Sequence, residues 1–196
     1  IDEKMPYFSS DFFDLGGQKL YVSRTGFTNE LGFEIFSDGF KTDHLALWDH
    51  ISECGKPYGM QFSASRAMTI RRIEGGIFGN LTDIDTTITP FEAGLGYFVN
   101  MDKDFIGRDA LIDKDKRTCL FGITCKSAIP SAKSKIKYKG TDIGFITAGV
   151  PSPTLQQGIG YVRFYNPGDW IDKEVEILLP DKSSHKGIIV DLPFYD

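Results

Sequence analysis

Long apolar runs are missing from this chain. In its 196 residues none approaches the ~18–20 consecutive apolar positions a membrane-spanning helix needs, so no membrane partner is expected. Clustered positive charge is missing too. Lys and Arg total 22 against 27 Asp and Glu, the formal net charge is −5, and no basic stripe forms. That balance excludes nucleic acid and anionic membrane as expected partners. Cysteine is scarce: Cys54, Cys119 and Cys125 are odd in number and fit no zinc spacing. They read as reduced, structural thiols, and a cytoplasmic location is expected. Histidine is equally thin. His44, His50 and His185 are dispersed, and His44 and His50, six apart, share no helix face, so no metal site is expected. No Ser–His–Asp arrangement can be read from the order of residues, and Ser23 lies in no nucleophile elbow. Gly94 and Gly96 lack the rest of a phosphate-binding fingerprint. The opening residue is Ile1, and no signal-peptide pattern follows it; this reads as a fragment or a processed piece.

What is present is ordinary for a globular protein, 41% apolar and 25% charged, at a length that suits one large or two small domains. FFDLGGQKLYVSR, residues 12–24, reads as strand, Gly-Gly turn, strand, and GFEIF (32–36) as a third strand. KTDHLALWDHISECG carries Leu45, Trp48 and Ile51 at helical spacing, with Thr42 or Asp43 as cap and Gly55 at its end. SASRAMTIRRIE (63–74) predicts a second helix with a short apolar face of Ala67, Ile70 and Ile73. Residues 75–94, rich in Gly, Thr and Asp, predict a long ordered loop, and 102–113 a turn and a short helix. From Cys119 onward short strand-like segments are punctuated by Gly, Pro, Asp and Ser, the texture of a small antiparallel barrel or sandwich. The expected class is α+β, with a boundary near residues 114–118 and no internal repeat.

SRTGFTNELGFEIF, residues 23–36, poses the functional question. On a strand Phe33 and Ile35 face one way, Glu34 and Phe36 the other, and one pair must face the interior. A carboxylate among aromatic rings can accept from two adjacent N–H donors, as on a pterin- or guanine-like edge, while the rings pack on the flat heterocycle. The plain alternative is a strand carboxylate that faces solvent or pairs with an arginine. Arg66, Arg71 and Arg72 lie on or near the second helix. They read either as a solvated face, with Arg72 and Glu74 in local ion pairs, or as guanidinium forks for an acidic ligand tail.

Taken together, these segments resemble the glycine cleavage T-protein family of aminomethyltransferases. SRTGFTNELGFEIF is similar to the family's SRTGYTGEDGFEI. ITPFEAGLGYFVNMDKDFIGRDAL and GFITAGVPSPTLQQGIGYVRF resemble further family runs, in order, and the DLPFY ending fits its close. The resemblance implies a partial ferredoxin-like, folate-binding α+β domain over residues 1–115, followed by a C-terminal β-barrel over 116–196. It implies tetrahydrofolate as cofactor, a small one-carbon donor, and a lipoyl carrier protein as a possible partner. Glu34 takes the place of the glutamate that binds the pterin edge. Phe27 and Phe36 would flank the ring, Tyr97 would close one wall, and an arginine from Arg66, Arg71 or Arg72 would meet the acidic tail. Catalytic residues are expected outside these residues, in an N-terminal part of the family's architecture, which would leave this piece inactive alone.

Two departures stand beside the resemblance. Family members carry Ala-Arg-Asp ahead of an Arg-Leu-Glu; aligned on Arg72-Ile73-Glu74, the arginine's place is held by Met68. The RRIEGG form resembles dimethylsulfoniopropionate demethylases and the tails of sarcosine and dimethylglycine dehydrogenases, which brings in a demethylase of a sulfonium or methylamine substrate. A folate-binding module without turnover is the third reading, although the KGCYxGQE segment such proteins often carry is absent.

Overall fold

The structure, a computed structural model, describes residues 4–195. Compactness divides the chain into two units, Ile1–Met68 and Thr69–Asp196, the division falling within a helix.

The first unit opens on a hairpin, β1 (Ser10–Leu15) and β2 (Gln18–Ser23). Gly16 and Gly17 both take positive φ, +64° and +81°, as a two-residue turn between twisted strands requires. That turn sets the register, Phe12 opposite Tyr21 and Ser10 opposite Ser23. The third strand is shorter than the sequence suggests: β3 covers Glu34–Phe36 and pairs antiparallel with β2, making a sheet of order β1-β2-β3. Helix α1 (His44–Gly55) is capped by Asp43, whose carboxylate accepts the Ala46 N–H at 3.0 Å. Gly55 does not end the chain's helical course. The backbone runs on through a 3-10 turn over Lys56–Tyr58 and stops at Gly59, φ +71°. Leu20, Val22 and Leu47 form the buried apolar residues of this unit. Trp48 is half-exposed and meets Phe62 edge-on, ring centres 5.7 Å apart.

The second unit is built on a closed barrel. Its strands are β4 (Leu120–Cys125), β5 (Lys135–Tyr138), β6 (Thr141–Ser152), β7 (Gln157–Phe164), β8 (Glu174–Leu178) and β9 (Ser184–Val190), in the order β4-β7-β6-β5-β8-β9. All neighbours pair antiparallel. The α+β class and the small antiparallel barrel read from the sequence are therefore the observed architecture. The interior is filled by Phe121, Ile123, Ile136, Val162, Ile177 and Ile189 among others. Phe164 stacks on Trp170 at 4.5 Å.

Strand β4 is buried on both faces, which explains its unbroken apolar run. Its outward Leu120 joins Ile159, Tyr161 and Ile73 in a second cluster, packed by Phe78, Ile84 and Ile88. Residues 75–94 are thus ordered because their apolar side chains cover the outside of the barrel. Helix α2 (Ser65–Glu74) and the one-turn α3 (Arg108–Leu111) complete the elements. Cys119 and Cys125 are buried, Cys54 is exposed, and all three are free thiols. Burial pushes the Cys119 thiol up, away from the reactive thiolate.

Candidate functional site

In the first unit the strand register sorts the side chains of the sheet. Ile35 lies opposite buried Val22, on the face that carries the core. Glu34 and Phe36 stand on the other face, which is exposed. Phe36 is opposite Tyr21, and Tyr21 opposite Phe12, so three rings cross the sheet in one row. Their centres are 5.1 Å (Phe12 to Tyr21) and 5.9 Å (Tyr21 to Phe36) apart. The Tyr21 hydroxyl meets the Ser10 hydroxyl across the hairpin. Lys19 holds its ammonium 5.5 Å from the centre of the Phe12 ring.

Glu34 sits one pairing further along the same face, opposite Ser23. Among the described residues its carboxylate takes one hydrogen bond, from the Thr25 hydroxyl to Oε2. Thr25 in turn lies 2.5 Å from the Ser23 hydroxyl, which fixes the rotamer. The question posed by the sequence is answered by the pleat: the carboxylate is not turned into the core. It is presented at the end of an aromatic row with acceptor capacity left over.

The sequence had singled out Glu34, Phe27, Phe36, Tyr97 and Arg66. The structure unites Glu34 and Phe36 on one face. Phe27 lies exposed in the segment that leads from β2 to β3. Arg66 is exposed in the first turn of α2. Tyr97 belongs to the second unit, on a 3-10 turn, almost fully exposed and edge-on to Phe98 at 5.6 Å. Phe12, Tyr21, Ser10 and Thr25 were missed. The signal was there in the first two: a two-residue turn at Gly16-Gly17 already places residue 12 opposite residue 21.

Arg71 keeps a local ion pair, as the solvated-face reading expects, whereas Arg72 is turned inward. Arg72 is buried and bonds Asp83 at 2.7 Å and the Ile77 carbonyl at 3.0 Å. Glu74 is paired with Arg71, at 3.1 Å. Asp83 also accepts the Gly79 N–H and the Thr147 hydroxyl, each at 2.7 Å. Thr147 is the extra residue of a bulge in β6, which re-aims its side chain toward Asp83. Glu74 accepts Ser152 at 2.5 Å and the Thr154 N–H at 3.2 Å. Burial pushes the Glu74 carboxyl up, but these donors and Arg71 outweigh it and hold it below its ordinary value. These are structural staples between the end of α2, its following loop and the barrel.

The fold and this sheet face define a class: an α+β chain with an antiparallel barrel and an exposed aromatic–carboxylate sheet face. Comparison with known proteins narrows it. The GCVT N-terminal domain matches residues 1–103, and the glycine cleavage T-protein C-terminal barrel domain matches residues 116–196. The chain belongs to the glycine cleavage T-protein family. It is 35% identical to an aminomethyltransferase of Caldanaerobacter subterraneus subsp. tengcongensis, over 96% of this chain and 51% of that protein. It is 38% identical to an aminomethyltransferase of Geobacillus sp., over 96% of this chain and 53% of the relative. The crystal structure of glycine cleavage system aminomethyltransferase T from Bartonella henselae superposes with a TM-score of 0.83 at 22% identity, covering 100% of this chain and 54% of that one, and shows the shared fold. The chain spans about half the length of the relatives it matches. No helix among the described residues is long and apolar enough to cross a membrane.

Proposed function

We propose that this chain is the part of a tetrahydrofolate-dependent one-carbon transferase that anchors the pterin and carries the barrel. The observation behind this reading is the placement of Glu34, exposed, oriented by Thr25 and aligned with the row Phe36–Tyr21–Phe12. Tetrahydrofolate supplies the nitrogens that receive the one-carbon unit. Glu34 accepts from the adjacent N–H donors of the pterin edge, and the rings cover its flat face. Phe27 contributes further ring surface, and Arg66 a fork for the glutamate tail. Donor and acceptor are positioned rather than activated by this part of the molecule.

Within that class, aminomethyl transfer is the first reading, since the named relatives are aminomethyltransferases. A demethylase of a sulfonium or methylamine substrate is the second. It is favoured by Met68, a half-exposed thioether where the family pattern has a guanidinium.

Titration of the protein with tetrahydrofolate tests the anchor. Charge-assisted hydrogen bonds contribute roughly 1.5–3 kcal/mol, so Glu34→Ala should weaken binding about ten- to a hundredfold. Glu53→Ala, on exposed α1, should leave it unchanged. Equal affinities in the two variants would remove Glu34 from the site. With the full-length parent transferase and a panel of donors, methylene-tetrahydrofolate as product supports the first reading, and methyl-tetrahydrofolate from a sulfonium donor the second.

A further inference from the structure

Barrel closure brings together residues that the linear sequence keeps far apart. Strands β4 and β9 are antiparallel neighbours, Gly122 opposite Val190 and Thr124 opposite Ile188. The same register, carried past the end of β4, sets Ser127 beside His185. The Ser127 hydroxyl lies 3.0 Å from His185 Nδ1. The other ring nitrogen, Nε2, lies 3.1 Å from the Ser183 hydroxyl. Ser183 donates that hydroxyl proton to Asp181 at 2.6 Å, and its backbone N–H bonds the same oxygen at 2.9 Å.

The direction of this chain is forced by its end. A carboxylate can only accept, so the Ser183 proton points at Asp181, and the Ser183 oxygen is left to accept from His185 Nε2–H. The neutral imidazole therefore carries its proton on Nε2, and its Nδ1 lone pair faces the Ser127 hydroxyl. The Ser183 hydroxyl and N–H hold the Asp181 carboxyl below the ordinary carboxylate range, so it stays ionised at neutral pH. This is a nucleophile, a base and an orienting carboxylate, with one hydroxyl inserted before the last.

Space for a small substrate lies on both sides. A cleft of about 310 Å³ is lined by Ser127, Lys126, Thr124 and Gln157. One of about 460 Å³ is lined by His185, Tyr138 and Lys137, and the two clefts share Glu174 and Lys186. Ser127 is exposed, and Lys126 brings positive charge to its cleft.

We propose that Ser127 is the nucleophile of an acyl-transfer site on the barrel, with His185 as its base and Ser183 and Asp181 as positioning residues, acting on small activated carboxylic esters. Ser127 Oγ forms a bond to the carbonyl carbon while its proton passes to His185 Nδ1. The alkoxide or phenolate leaves and takes that proton. Water then attacks the serine ester, gives a proton to His185, and releases the acid and the free hydroxyl. No oxidant or metal enters the balance.

p-Nitrophenyl acetate is the probe. The full chain should release a burst of p-nitrophenolate and carry acetyl on the peptide containing Ser127. Ser127→Ala, an exposed loop change that spares the fold, and His185→Gln should each reduce the burst about a hundredfold. Ser183→Ala should retain Ser127 acetylation but slow it with KM unchanged, because the imidazole loses the hydroxyl that orients its ring, and Ser183→Thr, which keeps that hydroxyl, should restore the rate. Acetyl found on lysines with none on Ser127, or a burst unchanged in Ser127→Ala, would overturn the assignment.

Discussion

Arg72 and Glu74 lie two residues apart and take unrelated partners, Asp83 for one and Ser152 with Thr154 for the other. The helical spacing of Ala67, Ile70 and Ile73 made the helix legible, because periodicity is local. The partners were not legible. Asp83 sits in a Gly- and Thr-rich loop with no period, and Thr147 reaches it only through a bulge. Glu34 shows the opposite case. Its neighbourhood was read correctly as aromatic, yet which way it faced depended on pairing with β2. At this scale acid sensitivity follows from Glu74. Its folded-state pKa lies below the ordinary 4.5, so its contribution is complete above that value and is lost as pH falls through the depressed one. Thermal unfolding should therefore drop on acidification below about pH 4.5 in the wild type, and less steeply in Glu74→Gln, measured by calorimetry in parallel buffers. Identical pH slopes would assign the acid sensitivity to other carboxylates.

Strands were easier to read than their ends. The alternation and the Gly16-Gly17 turn located the hairpin, whereas β6 runs on through Pro151 to Ser152, past the ITAG stretch that marked it. Pro151 is tolerated there because β5 pairs only with the other half of β6, so its missing N–H leaves no ladder partner bare on that side. Strand β7 owes its glycines to close neighbours. A Cβ on Gly158 would lie 2.1 Å from the Ala128 carbonyl oxygen, a backbone atom with no freedom to rotate away. Gly158→Ala should cost at least ~2 kcal/mol by overpacking, read as a fall in the denaturant midpoint, while Gly140→Ala, with open space around it but positive φ, should cost about 1 kcal/mol. A smaller loss at Gly158 than at Gly140 would mean the segment 126–130 yields easily. That same segment carries Ser127, so its rigidity bears on the acyl-transfer geometry as well.

At the scale of the whole molecule the two units are unequally provisioned. The barrel unit holds both apolar clusters and the Arg72–Asp83 pair. Among the described residues the first unit buries only Leu20, Val22 and Leu47 of its apolar side chains, and it exposes many aromatics. Local opening is cheapest where few apolar groups are buried. Amides of β4, β7 and β9 should thus exchange with deuterium at least tenfold more slowly than those of β1, β3 and α1, followed by mass spectrometry. Equal protection would show that the first unit's sheet is held by more than its own core. The family assignment was legible because its runs follow one another along nearly the entire chain. The relay at Ser127 was not, since fifty-eight positions separate its serine from its histidine and only closure of the barrel joins them.

The two tryptophans fall one to each unit, Trp48 half-exposed beside Phe62 and Trp170 stacked on Phe164. Each unit thereby carries its own optical label. Emission from Trp48 should lie toward the red of a wet indole, and that from Trp170 toward the blue of a sheltered one. The colour of the light is a native read-out of which half of the chain has come apart.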